Sequence, residues 1–173
     1  MALTGKRIAV LVEQSYQEME VWYPIYRLRE AGATVVVLGT GTMQTYPSKT
    51  GYPCPVEAAI SQVKAEDFDG VVIPGGYAPD HLRRYAEVNQ FVADLNAAGK
   101  LVAAICHGGW VLCSARMLKG RQVTSFFAIR DDLEHAGAEW SDQETVVDGN
   151  LVTARKPDDL PAFMRAILGV LEG

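Results

Sequence analysis

The 173-residue chain lacks the marks of several broad protein classes. It has no run of about 18 apolar residues, so no membrane-crossing helix is expected. Lys and Arg number 16 against 21 Asp and Glu, a net charge of −5, and no basic cluster occurs. That excludes the electrostatic footprint of a nucleic-acid or anionic-membrane binder. Only three cysteines are present, without paired spacing, so no disulfide framework is expected. Residues 1–7 show no signal-peptide core, and a cytoplasmic location follows as the expectation. Three histidines and no Cys-x-x-Cys or His-Glu-x-x-His give no metal site. Gly39-Thr40-Gly41 lacks the third glycine of a dinucleotide fingerprint, and no Gly-Lys-Ser/Thr loop exists, so no cofactor is expected. No repeat, low-complexity tract or linker divides the chain, which reads as one domain over residues 1–173.

What is present is an alternation of strands and helices. The apolar runs 7–12, 34–38, 69–73 and 101–105 have strand length and no polar alternation, as parallel strands covered on both faces should. Helices are expected over 19–31, 80–84, 87–98, 110–118, 129–135 and from 157 to about 171, several of them stopped by a glycine. Residues 39–55, rich in Gly, Thr and Pro, read as loop with a short hairpin, and 122–126 as a further strand. Strands 145–147 and 151–153 flank Asp148-Gly149-Asn150, a hairpin signal. The pattern implies a doubly wound, flavodoxin-like α/β/α sandwich with a mainly parallel sheet. Ligands in such folds bind beyond the carboxyl ends of the strands.

Cys106 lies at one of those ends, between a buried strand and a helix, followed by His107, Gly108 and Gly109. A thiol on so sharp a turn has the logic of a nucleophile elbow, and the helix behind it is expected to ease its ionisation. His107, next to the thiol, reads as a base or orienting partner if the turn folds its ring back. Glu20, set among Met19, Val21 and Trp22, is expected to be a buried carboxyl with a raised pKa, hydrogen-bonded to the sulfur. Gly75-Gly76 reads either as a plain strand-ending turn or as a source of oxyanion-binding N–H groups. Asp80 reads as a helix cap, Cys113 as packing, and Cys54 as a loop thiol.

Taken together, Glu18-Met19-Glu20, residues 68–80 with Pro74-Gly75-Gly76, Ala104-Ile105-Cys106-His107-Gly108, Leu118-Lys119-Gly120-Arg121 and Pro157-Asp158-Asp159-Leu160 resemble the ThiJ/PfpI superfamily, in its branch of PfpI-type intracellular proteases and general stress proteins. The resemblance spans nearly the whole chain. It implies a cysteine nucleophile at Cys106, a protonated partner at Glu20, and an oxyanion hole from the Gly75-Gly76 turn and the His107 N–H. It places Tyr77, Gly108, Trp110 and Phe126 around the pocket. It implies a homo-oligomer, a dimer or a hexamer built from dimers, in which Asp80 reaches the His107 of a neighbouring subunit. Three departures are visible: Gly109 and Trp110 stand where the family often has Pro, Phe126 where some relatives described as proteases carry Tyr, and Asp80 where some relatives carry the longer Glu, which shortens its reach to a neighbouring imidazole. The implied substrates are peptides, or small carbonyls such as methylglyoxal and its adducts on proteins. The competing implication is a stress-response redox sensor or chaperone-like protein whose Cys106 is oxidised to a sulfinic acid.

Overall fold

The apolar runs form the strands expected of them. The computed structural model describes residues 2–173. Along the chain, β1 (Arg7–Leu11) leads into helix α1 (Glu18–Glu30), and Gly32 in the left-handed region turns the chain into β2 (Thr34–Gly39). A hairpin of β3 (Thr45–Pro47) and β4 (Pro53–Pro55) follows, then the short β5 (Ala58–Ala59) and β6 (Gly70–Ile73). Helices α2 (Ala78–Leu82) and α3 (Ala86–Ala97) precede β7 (Leu101–Ile105). A 3-10 turn at Cys106–Gly108 opens α4 (Gly109–Ser114). Next come β8 (Gln122–Val123), α5 (Arg130–His135), β9 (Glu139–Trp140), the hairpin β10 (Thr145–Asp148) and β11 (Leu151–Ala154), and α6 (Leu160–Glu172).

Seven strands form the main sheet in the order β10-β11-β7-β6-β1-β2-β5. All its pairings are parallel except β10 with β11. Helices α1 and α6 pack together on one face, and α3 and α4 cover the other, which is why β6 and β7 are buried along their whole length. From β1 the chain winds first to β2 on one side and then to β6 on the other. The connections therefore part between β1 and β6, leaving a crevice at their carboxyl ends.

Two expectations need correction. The strand over 122–126 is only Gln122–Val123, and it pairs with β9 in a separate two-stranded sheet. The next residues peel away because other acceptors take their N–H groups: Thr124 donates to Thr153 Oγ1 (2.9 Å) and Phe126 to the Cys106 carbonyl (3.2 Å). The helix expected over 110–118 ends at Ser114, and Arg116 has a left-handed φ of 56°.

Candidate active site

Four strand ends converge on Cys106. The loop after β1 is tied to the turn after β6: Tyr77 N–H donates to the Ser15 carbonyl (2.8 Å), and Gln17 N–H to the Gly75 carbonyl (3.3 Å). Gln17 caps α1, its Oε1 accepting from the N–H groups of Met19 (2.7 Å) and Glu20 (3.3 Å). This cap sets the first turn of α1 so that Glu20 points inward and is 0 % exposed. Glu20 Oε2 accepts from Gly75 N–H (2.7 Å), while Oε1 is buried with no nitrogen or oxygen partner. The sulfur of Cys106 is the polar neighbour left to the carboxyl.

Both glycines of the turn are needed, for different reasons. A Cβ on Gly75 would stand 2.6 Å from both Cys106 Cβ and Glu20 Oε2. Gly76 has φ +72°, and its Cβ would meet backbone atoms that cannot yield, Ser15 O at 2.5 Å and Gln17 N at 2.6 Å. Gly76→Ala is therefore expected to destabilise the fold by about 2–4 kcal/mol, against about 1 kcal/mol for Gly149→Ala. Gly149 also has a positive φ, but its Cβ would meet open space. Urea unfolding of the two variants checks the difference; equal losses would show that the close approach at Gly76 is unimportant.

Cys106 itself has φ +60°, a conformation that costs a residue with a side chain about 1–2 kcal/mol. Its side chain leaves the sheet edge 9 % exposed. His107 Nδ1 lies 3.3 Å from the sulfur, and backbone hydrogen bonds from Gly76 and His107 favour the thiolate. The imidazole is held between rings, stacked on Phe126 at 5.1 Å and met edge-on by Trp110 at 5.1 Å. Burial lowers its pKa, which favours the neutral imidazole.

The ionisation of Cys106 differs from the expectation. Helix α4 has six residues and contributes little dipole, whereas burial pushes the thiol up to about 12, with the Glu20 charge as second cause. Burial likewise raises Glu20 to about 7, opposed by the Gly75 hydrogen bond, Cys106 and Lys49. Two adjacent buried acids share a proton and titrate as a pair. The thiolate form of the singly protonated pair has the proton on Glu20 and the charge on sulfur.

A cavity of about 330 Å³ opens over the sulfur, bounded by Gln17, Glu20, Lys49, Gly76, Tyr77, Cys106, His107, Phe126, Lys156 and Pro157. Several expected residues do not line it. Gly75 gives its N–H to Glu20 instead of a substrate oxygen. Gly108 is packed where a Cβ would meet the Ile73 carbonyl at 2.7 Å, and Trp110 stands behind His107 with its Nε1–H on Asp132 (2.7 Å). Asp80 caps nothing: it lies within α2, whose cap position is Tyr77, and pairs with Arg84 one turn on. Cys54 is a buried strand residue, and burial pushes both it and Cys113 up to about 11. Sequence reasoning missed Gln17, Lys49, Lys156 and Pro157. The strand-end rule would have found Lys156-Pro157, just past β11; nothing in the sequence singles out Lys49.

The DJ-1/PfpI family pattern matches residues 6–169. "Deglycase PfpI" of Pyrococcus furiosus is 39 % identical over 166 residues, covering 96 % of this chain and 99 % of that protein. "General stress protein 18" of Bacillus subtilis is 41 % identical over 170 residues, 97 % of this chain and 99 % of that one. A crystal structure of a two-domain protein from Anabaena variabilis, containing DJ-1/ThiJ/PfpI-like and ferritin-like domains, superposes with a TM-score of 0.93 at 44 % identity, covering 96 % of this chain and 48 % of that one. On sequence and fold alike, the chain belongs to the DJ-1/PfpI family.

Proposed function

We propose that this protein is a cysteine-dependent, hydrolase-type enzyme acting on small carbonyl compounds, chiefly α-oxoaldehydes such as methylglyoxal and their adducts on thiols and amines. The observation that carries the reading is the setting of Cys106. It sits between two inward-facing N–H groups, those of Gly76 and His107, and a buried carboxyl able to hold its proton. The relative named a deglycase supports the substrate class. So does the cavity of about 330 Å³, which is small-molecule size.

In this reading the thiolate forms a C–S bond to the aldehyde carbon, and the carbonyl electron pair moves onto oxygen beside the Gly76 and His107 N–H groups. The Glu20 proton neutralises that oxygen, giving a hemithioacetal. Neutral His107 then moves the carbon-bound proton to the adjacent carbon through an enediolate, leaving a thioester. Water hydrolyses the thioester, so that methylglyoxal plus water becomes lactate and the thiol is restored. With an adduct as substrate, the thiol or amine it carries is released first.

Stepwise alkylation tests the assignment. Turnover of the methylglyoxal adduct of N-acetylcysteine should fall in proportion to the fraction of Cys106 alkylated by iodoacetamide, as mapped on peptides. Retention of turnover after complete alkylation at Cys106 would sink the proposal.

A further inference from the structure

Of the two lysines among the described residues that line the cavity, Lys49 is the one that makes no ion pair. Arg155 is neutralised twice, its Nε and Nη2 on Asp159 (2.9 and 3.1 Å) and its Nη1 on Asp142 (2.7 Å). Lys156, on the cavity rim, pairs with Asp158 at 3.2 Å. Lys49 is exposed and lines the cavity, yet among the described residues its ammonium makes no ion pair or hydrogen bond. Its field nevertheless reaches the interior, since it draws down the pKa of Glu20.

The backbone that carries Lys49 is held on both sides. Lys49 N–H donates to the Tyr16 carbonyl (3.0 Å), and Ser48 N–H to the Tyr52 carbonyl (2.9 Å). Glu18, in the first turn of α1, accepts from Ser48 Oγ (2.5 Å), Thr50 N–H (3.3 Å) and the Thr50 hydroxyl. The carboxylate that clamps this loop thus takes hydroxyl and amide donors and leaves the ammonium free. Tyr16, on the other side of the clamp, also bridges to Gly76. Lys49 is in this way tied to the same frame as the oxyanion-binding turn, and the flexible part is its own side chain. The backbone thus holds a flexible ammonium at the cavity mouth that no carboxylate of the chain pairs, leaving it free to meet an anionic group on a ligand.

We propose that Lys49 is a specificity residue and that the cavity takes carbonyl substrates bearing a carboxylate, which Lys49 binds while the carbonyl faces Cys106. This rests on the proposed function for the reaction but not for the recognition, and the two are separable by experiment. Iodoacetate and iodoacetamide differ by little more than a charge, and both alkylate a thiolate by forming an S–CH₂ bond with loss of iodide. The ratio of their rates at Cys106, read by peptide mass and divided by the same ratio for glutathione, cancels any change in thiolate population. In the wild type the normalised ratio should favour iodoacetate by about five-fold. It should fall to about one in Lys49→Met, recover in Lys49→Arg, and fade in the wild type as salt rises to about 0.5 M. A normalised ratio near one in the wild type, or a ratio unchanged by Lys49→Met, would overturn the inference. Loss of the ratio in Lys49→Met without Cys106-dependent turnover of any carbonyl would retain the anion site and sink the proposed function instead.

Discussion

Cys106→Ser is expected to lower kcat/KM for the methylglyoxal adduct of N-acetylcysteine by at least about a thousand-fold. Serine keeps the shape and the two backbone donors but not the nucleophile. Passing its proton to the Glu20 carboxyl, at about 7, would cost a hydroxyl still more than it costs the thiol at about 12, because an alcohol is the weaker acid. The loss should be chemical. The side chain changes by one atom at a position already holding φ +60°, so the thermal midpoint should move by no more than a few degrees. Steady-state kinetics and a melting curve on the same preparation separate the two effects. Equal turnover by variant and wild type would remove the enzyme reading. A redox role would then be the surviving class, and a gain of two oxygens on the Cys106 peptide after mild peroxide would be its test.

Glu20→Gln carries the second large effect, and it acts in opposite directions on activity and stability. Glutamine can still accept from the Gly75 N–H and offer an N–H toward the sulfur, so it imitates the protonated carboxyl. It cannot take or return a proton, and kcat/KM should fall about a hundred-fold. For stability the sign follows from the raised pKa. A carboxyl at about 7 in the fold and near 4.5 when unfolded favours the folded state fully below 4.5, and that contribution is lost as pH rises through 7. The loss amounts to about 3 kcal/mol at most. Glu20→Gln should therefore match the wild type in urea unfolding at pH 4.5 and be more stable at pH 8. A stability difference that does not vary with pH would refute the shifted carboxyl. The expected pairing of a less active variant with a more stable one follows from burying an ionisable group at a working site.

Much of this site is legible in the chain because it is built from strand ends. A buried parallel strand must be an apolar run, and the residue where that run stops must face the carboxyl edge. Cys106, the Gly75-Gly76 turn and the start of α1 are all found by that logic, and Glu20 by the contrast of an acid among apolar neighbours. Partnership is less legible. Gly75 and Gly76 are equivalent as letters, yet the N–H of one serves Glu20 and that of the other Cys106, a division made by the loop after β1 closing on the turn. Trp110 and Phe126 both look like pocket residues, and only Phe126 lines the cavity. The Phe126 N–H finds the Cys106 carbonyl, whereas the Trp110 Nε1–H is drawn back to Asp132.

The sequence by itself determined the α/β class, the alternation that makes the sheet parallel, and the place of Cys106 at the sheet's carboxyl edge, because each depends on local periodicity or on the abrupt end of an apolar run. Tertiary structure alone decided the proton balance of Cys106. Local reasoning favours an easy thiolate at a helix start, but the helix is two turns long and the surroundings are dry. Burial dominates, and the charge on sulfur depends on a proton held by Glu20, 86 positions away in sequence. Lys49 belongs to the same category. Nothing local marks one lysine among 16 basic residues, and its place over the cavity follows from hydroxyl and amide bonds to a glutamate on another element. Charge interactions act through space and between layers, so they become readable only once the layers are in place.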